Sequence, residues 1–274
     1  MIETPRRAAL SPLATPSTAA ELVEVVLAED ALSPLSLVLP VGAVIAGLDV
    51  LPRMTASFKG TLKRMDYAVR RGSPLALIVG THGGGKSTAA RIFVAGRKNA
   101  IYWEARPGYN ERHLMNDLCQ MLNISASEGF AVRTQVVIDH LRDHPRILII
   151  DEAQRLNYSV MDQLKFVADN TKSTVILVGS PWLEQKVDRH SDISSRVWVR
   201  GRVEPLGLDE FRRLYAEEGY SPAALDELHA LSGGVLRVLT ALLTHLDAAL
   251  TAQDTLTRDT LTVGHIRKAA ETVL

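Results

Sequence analysis

The segment Gly80-Thr81-His82-Gly83-Gly84-Gly85-Lys86-Ser87 constrains this chain more than any other. It fits G-x-x-x-x-G-K-[ST], follows the apolar run Leu75-Ala76-Leu77-Ile78-Val79, and opens a helical pattern from Ser87 to Ala95. An apolar run this short, ended by glycine, reads as a buried parallel strand. Strand, glycine-rich turn and helix N-terminus in that order let backbone N–H groups wrap a polyphosphate, and the helix end adds positive potential. On this reading Gly80 through Thr88 hold ATP, Lys86 meets its β- and γ-phosphates, and the Ser87 hydroxyl ligates Mg2+. An ordinary glycine-rich turn is the competing reading, and the strand–turn–helix context speaks against it.

Similar apolar runs recur at 99–105, 146–151 and 173–179, with helical patterns between them. One carries Leu114, Leu118, Met121 and Leu122, and the other Val132, Val136, Val137 and Leu141. Strands alternating with helices predict an α/β fold, a mostly parallel sheet covered on both faces. After Pro205 only helical signals remain: Leu208 to Glu218, a helix begun by Ser221-Pro222, one after Gly233-Gly234 and a last one after Thr262. The expected organisation is an N-terminal segment 1–51, an αβα nucleotide-binding core 52–204 and a small helical lid 205–274. From Pro52, Phe58, Leu62, Met65 and Val69 fall at helical spacing among Arg53, Lys59, Lys63, Arg64, Arg70 and Arg71, with Asp66 opposing. That is an amphipathic helix with a basic surface.

The first 20 or so residues are rich in Ala, Pro, Ser and Thr and read as a mobile end. A short helix is expected over Glu21 to Glu29. The charge-free stretch Ala31 to Leu48 is broken by Pro34, Pro40, Gly42 and Gly47, so it reads as connecting structure and not as a membrane span. The first ten residues lack the apolar core of a secretory signal. Cys119 is the single cysteine and has no intrachain partner for a disulfide, so a cytoplasmic location is the default expectation.

Arg146-Ile147-Leu148-Ile149-Ile150-Asp151-Glu152 is an apolar strand ending in two carboxylates, at the end of the sheet where ligands bind. Asp151 is placed to complete the metal site. Glu152, pointing to the other side of the strand end, is placed to deprotonate a water attacking the γ-phosphate. Ser180 ends the next strand, where a hydroxyl senses the γ-phosphate; a serine opening the loop before Pro181 is the equally weighted alternative. Between Lys186 and Arg202 five basic residues face Asp188 and Asp192. Arg196 is the first candidate for a finger completing a neighbouring subunit's site, with Arg189, Arg200 and Arg202 competing. Arg237 opens a lid helix within reach of the phosphates.

GTHGGGKS, LIIDEAQRL, VILVGS, SSRVWVR and a helical tail with GGVLRVL, in that order from about Pro52 onward, resemble the AAA+ ATPases that regulate DNA transposition, the Mu B, TnsC and TniB family. The resemblance implies Walker A at Lys86 and Ser87, Walker B at Asp151 and Glu152, sensor 1 at Ser180, the arginine finger at Arg196 and sensor 2 at Arg237. Ser180 departs from the asparagine or threonine more usual at sensor 1, and the first 50 residues do not resemble the helix-turn-helix domain of Mu B. The resemblance further implies ATP-dependent filaments on double-stranded DNA, recruitment of a transposase and of a target selector, and no membrane partner. The loop residues expected at DNA are Arg106, Tyr109 and Arg112, with Arg133 following. Lys+Arg and Asp+Glu both number 31, so no global charge attracts a duplex and binding depends on local patches. The alternative from the same fold is an ATPase of a secretion or signalling assembly without DNA binding. A small-molecule kinase is disfavoured by the Asp-Glu pair and the helical lid.

Overall fold

The computed structural model describes residues 55–125, 129–252 and 257–273. The expectations for residues 1–51 and Arg53 lie outside them. Helix α1 (Ala56–Arg70) is capped by Thr55, whose hydroxyl accepts from the Phe58 N–H. Then come β1 (Leu75–Gly80), α2 (Lys86–Ala95), β2 (Ala100–Glu104), α3 (Glu111–Met121), α4 (Phe130–Asp143) and β3 (Ile147–Asp151). A 3-10 turn at Ala153–Arg155 leads to α5 (Tyr158–Asn170), β4 (Thr174–Gly179), α6 (Pro181–Asp188), the short α7 (Ser191–Ser194) and β5 (Val197–Val203). The lid region holds α8 (Leu208–Tyr215), α9 (Pro222–Ser232), α10 (Leu236–Ala252) and α11 (Val263–Val273).

The five strands form one parallel sheet in the order β2-β3-β4-β1-β5. Successive strand residues point to opposite faces, so each apolar run feeds two cores. On one face Ala76, Ile78, Ile149 and Ile176 pack with Phe58, Leu62, Met65, Ile92 and Phe93 of α1 and α2. On the other, Leu75, Leu77, Val79, Leu148 and Ile150 pack with helices α3 to α6. The expected fold class is what the chain adopts.

Three local expectations are corrected. Val197–Val203 is a fifth strand, beyond the four apolar runs that the sequence offers as strands. It lies at the sheet edge with Val199, Gly201 and Val203 buried and Trp198, Arg200 and Arg202 exposed. An edge strand covered on one face alternates and does not form a continuous apolar run. In α4 the buried stripe is Val137, Ile138 and Leu141, while Val132 is 53% exposed. The basic surface of α1 is also narrower than the sequence suggests. Asp66 is buried and accepts from Arg97 at 2.7 Å and from Arg70 at 2.8 Å.

Apolar side chains beyond Val203 form a cluster of their own around Phe211, Leu228, Leu239, Leu242 and Ile266. Within this helical part the Leu206 N–H donates to the Gly234 carbonyl (2.8 Å), and the Arg237 N–H donates to the Gly83 carbonyl of the loop after β1 (3.1 Å). Among the described residues no helix is long and apolar enough to cross a membrane.

Candidate active site

The strand order places the ends of β1, β4 and β3 side by side, so the glycine-rich loop, Ser180 and the two carboxylates share one rim of the sheet. Gly83 and Gly85 in the loop adopt φ of +77° and +94°, a region open to glycine. Gly83 is doubly constrained, because a Cβ there would lie 2.7 Å from Cβ of Arg237. The start of α10 therefore lies directly against the loop, which brings Arg237 beside Gly83.

Helix α2 begins at Lys86. The Lys86 side chain is buried, and its ammonium donates to the Thr81 carbonyl at 2.7 Å, folding back over the loop. Burial lowers its pKa, opposed by the fields of Asp151 and Glu152, while Arg237 pushes in the same direction as burial. Those couplings bring lysine, both carboxylates and the lid arginine into one electrostatic neighbourhood.

Asp151 is buried at the end of β3. One carboxylate oxygen accepts from the Glu152 N–H at 2.8 Å and the other from the Tyr102 hydroxyl at 2.7 Å. Tyr102 is a residue the sequence did not single out. Its phenol pKa is pushed up to about 12, first by burial and then by the bond to Asp151, so it stays a donor at neutral pH. The Arg91 guanidinium lies 5.5 Å from its ring centroid, and the hydrogen bond to Tyr102 raises the Arg91 pKa. Among the described residues no three His, Cys, Asp or Glu side chains gather into a metal site. Ser87 and Asp151 nonetheless suit Mg2+, which is bound through one or two protein oxygens with phosphate and water filling the octahedron.

Glu152 is not the next alternating residue of the strand. It turns at φ +52°, left-handed for a residue with a Cβ, a conformation that costs on the order of 1–3 kcal/mol and clusters at functional sites. Its carboxylate accepts from the Gln154 amide at 2.5 Å and lies 3.7 Å from Arg155. Arg155 in turn reaches Glu104 and the Ala105 carbonyl on the β2 side. Ser180 is buried and heads α6, and its backbone N–H donates to the Gln154 side chain at 3.1 Å. A cavity of about 410 Å3 opens here, lined by His82, Gln154, Ser180, Trp182, Lys186 and Arg189.

The arginines of 189–202 separate clearly. Arg196 pairs with Asp169 at 2.8 Å on the surface, away from its own loop. Arg200 pairs with Asp188 and Arg202 with Glu184, at 2.7 and 2.6 Å. Arg189 has no ion pair among the described residues and lines the cavity. Of the residues expected at DNA, Arg112 is exposed, Arg106 pairs with Asp117 at 3.0 Å, and Arg133 bonds Asn116. Tyr109 is corrected: its ring is buried and its hydroxyl donates to Asp117 at 2.8 Å, so it braces the loop from inside and offers DNA no surface.

Comparison with known proteins adds three findings. Residues 69–187 match the model of a family described as an AAA domain. General secretion pathway protein A of Aeromonas hydrophila is 26% identical over 205 residues, covering 65% of this chain and 37% of that protein, so this chain spans little more than a third of that relative. Among solved structures, Cdc6p from Pyrobaculum aerophilum superposes with a TM-score of 0.63 over 84% of this chain and 70% of its own, at 18% identity. The Aeropyrum pernix ORC1 protein, solved in complex with DNA, gives 0.56 over 82% and 66%, at 17% identity. At such identities the two structures speak for the fold alone.

Proposed function

We propose that this chain, whose residues 69–187 match an AAA domain and whose strands form one five-stranded parallel sheet, binds and hydrolyses ATP and uses that cycle to assemble on double-stranded DNA. The observation that carries the reading is the shared rim at the ends of β3, β4 and β1, where the loop leading to Lys86 lies beside Asp151 and Glu152 and its Gly83 carbonyl accepts from the Arg237 N–H at 3.1 Å. The loop amides and Lys86 hold the phosphates, and Arg237 bears on them from the lid. Ser87 and Asp151 would hold Mg2+, which would neutralise charge on the transferring phosphoryl group. Glu152 takes a proton from water as the water oxygen bonds to the γ-phosphorus, and the bond to the ADP oxygen breaks. Tyr102 fixes the Asp151 carboxylate. Tyr102→Phe removes one hydrogen bond, worth about 1 kcal/mol, and is expected to raise the Mg2+ concentration for half-maximal turnover about fivefold. A Mg2+ titration of ATPase rate checks it.

Arg196 is the proposed finger in trans: its ion pair with Asp169 is exposed, and such pairs are weak enough to be exchanged for a phosphate at a subunit interface. Assembly as a homo-oligomeric filament, with a transposase and a target selector as clients, is the finer part of the proposal and rests on the motif order. Two points support DNA as the partner: the motif resemblance, and the exposure of Arg106 and Arg112. With 31 charges of each sign, affinity has to come from many subunits in register, each adding a few phosphate contacts. Replacing Arg106 and Arg112 together by alanine is expected to weaken binding equally on unrelated duplexes. The dependence of log affinity on log salt should drop by about 2 per subunit, with nucleotide binding unchanged. Anisotropy with several duplexes over a salt series reads both.

The second reading, a secretion-assembly ATPase, is favoured by the similarity to General secretion pathway protein A. Turnover measured with and without duplex DNA separates the two. Stimulation supports the DNA reading, and the absence of both stimulation and binding transfers support to the secretion reading.

A further inference from the structure

The residue that ties the two halves of the rim together is Gln154, in the turn after β3. Its side-chain oxygen accepts from the Ser180 N–H at 3.1 Å, and its side-chain nitrogen donates to a Glu152 carboxylate oxygen at 2.5 Å. The amide orientation follows from the partners: a backbone N–H needs an acceptor and a carboxylate needs a donor. Its own carbonyl accepts from Lys186 Nζ of α6 at 2.8 Å, and the same ammonium donates to the Leu156 carbonyl at 2.7 Å. The end of β4 is shaped for it as well. A Cβ on Gly179 would lie 2.5 Å from the Gln154 side-chain oxygen, so glycine leaves the space that the amide fills.

We propose that Gln154 is a positioning residue for ATP hydrolysis: clamped to the end of β4 and to α6, it holds one carboxylate oxygen of Glu152 and leaves the other for the attacking water. This rests on the ATPase reading above and adds to it a fixed link between the strand end at Ser180 and the proposed base. Without Gln154, the ion-pair partner left to Glu152 among the described residues is Arg155 at 3.7 Å, which draws it toward Glu104 and β2, away from the loop. The other charges facing Glu152 are Asp151 beside it and Lys86 across from it, with His82, Lys186 and Arg189 around the adjoining cavity.

The test uses the full chain and three readouts: affinity for a fluorescent ATP analogue, kcat with KM, and the pH profile of kcat. Gln154→Ala is expected to lose about tenfold or more in kcat, a fraction of what general-base catalysis supplies, while KM and analogue affinity stay within about twofold of the parent. A merely structural role would move stability and affinity together. Gln154→Glu puts a second carboxylate against Glu152, and a like charge raises a carboxylate pKa. The acid limb of its kcat profile should therefore move up by about one pH unit, so that its deficit is large near pH 6 and shrinks near pH 8. Gln154→Ala should show no such recovery. An active parent with Gln154→Ala at parental kcat, or Gln154→Glu with an unshifted acid limb, overturns the inference alone. A parent that binds the analogue without hydrolysing ATP overturns the ATPase reading and this inference with it.

Discussion

Glu152→Gln is expected to bind ATP as the parent does and to turn it over about a hundred to ten thousand times more slowly, the range that a positioned general base contributes. The substitution keeps the size of the side chain and the left-handed turn at φ +52°, so the loop and Asp151 should not move. It removes the rim carboxylate that is proposed to accept the water proton without also serving the proposed metal site. The Gln154 amide now faces an amide in place of a carboxylate and can still be satisfied by the new side-chain oxygen, so no buried donor is stranded. Binding and hydrolysis should therefore separate cleanly. If the cycle drives assembly, the ATP-bound variant should also persist longer on duplex DNA. Parallel measurement of phosphate release and analogue affinity checks the claim, and parental phosphate release from Glu152→Gln would remove the carboxylate from the mechanism.

What the sequence made legible follows from how each feature is encoded. The strands β1, β3 and β4 are continuous apolar runs because they are buried on both faces, and β2, half-buried at one edge, still reads as the apolar run Ala-Ile-Tyr-Trp. The fifth escaped because at the sheet edge Trp198, Arg200 and Arg202 face outward and interrupt it. Lys86, Ser87, Asp151 and Glu152 stand out in the sequence because contiguous motifs mark them. Arg237 stands out because it lies in the first turn of a helix after two glycines. Tyr102 and Gln154 act through hydrogen bonds to residues that other strands bring alongside, and no local spacing signals that. Tyr109 shows the reverse failure: a Pro-Gly loop suggests exposure, yet its ring turns inward under α3 to reach Asp117. Gln154 did leave a trace in the run Asp-Glu-Ala-Gln, one amide two residues beyond the carboxylate. Only the fold, which sets β4 beside β3, gives that spacing a meaning.

Lys86→Ala is expected to abolish nucleotide-driven behaviour while leaving the fold intact. Its ammonium is proposed to meet two phosphates, and charge-assisted hydrogen bonds are worth about 1.5–3 kcal/mol each. Losing both costs about 3 kcal/mol or more, roughly a hundredfold in affinity. The empty protein should hardly notice. The substitution gives up the bond to the Thr81 carbonyl but also relieves a desolvated charge, whose depressed pKa shows that burial disfavours it. Thermal melts make the contrast visible. ATP at about a hundred times the parental Kd stabilises the parent by about 2.7 kcal/mol. At the same concentration a hundredfold weaker variant gains only about 0.4 kcal/mol, with both melting alike in the absence of ATP. The depressed pKa also sets a direction with pH: the parent's ATP affinity should fall as pH rises through a value below the ordinary lysine range, because deprotonation removes the same charge. Lys86→Ala, with no ammonium to lose, should lack that alkaline decline, and a variant that kept both the full ATP shift and the decline would dissociate Lys86 from the phosphates.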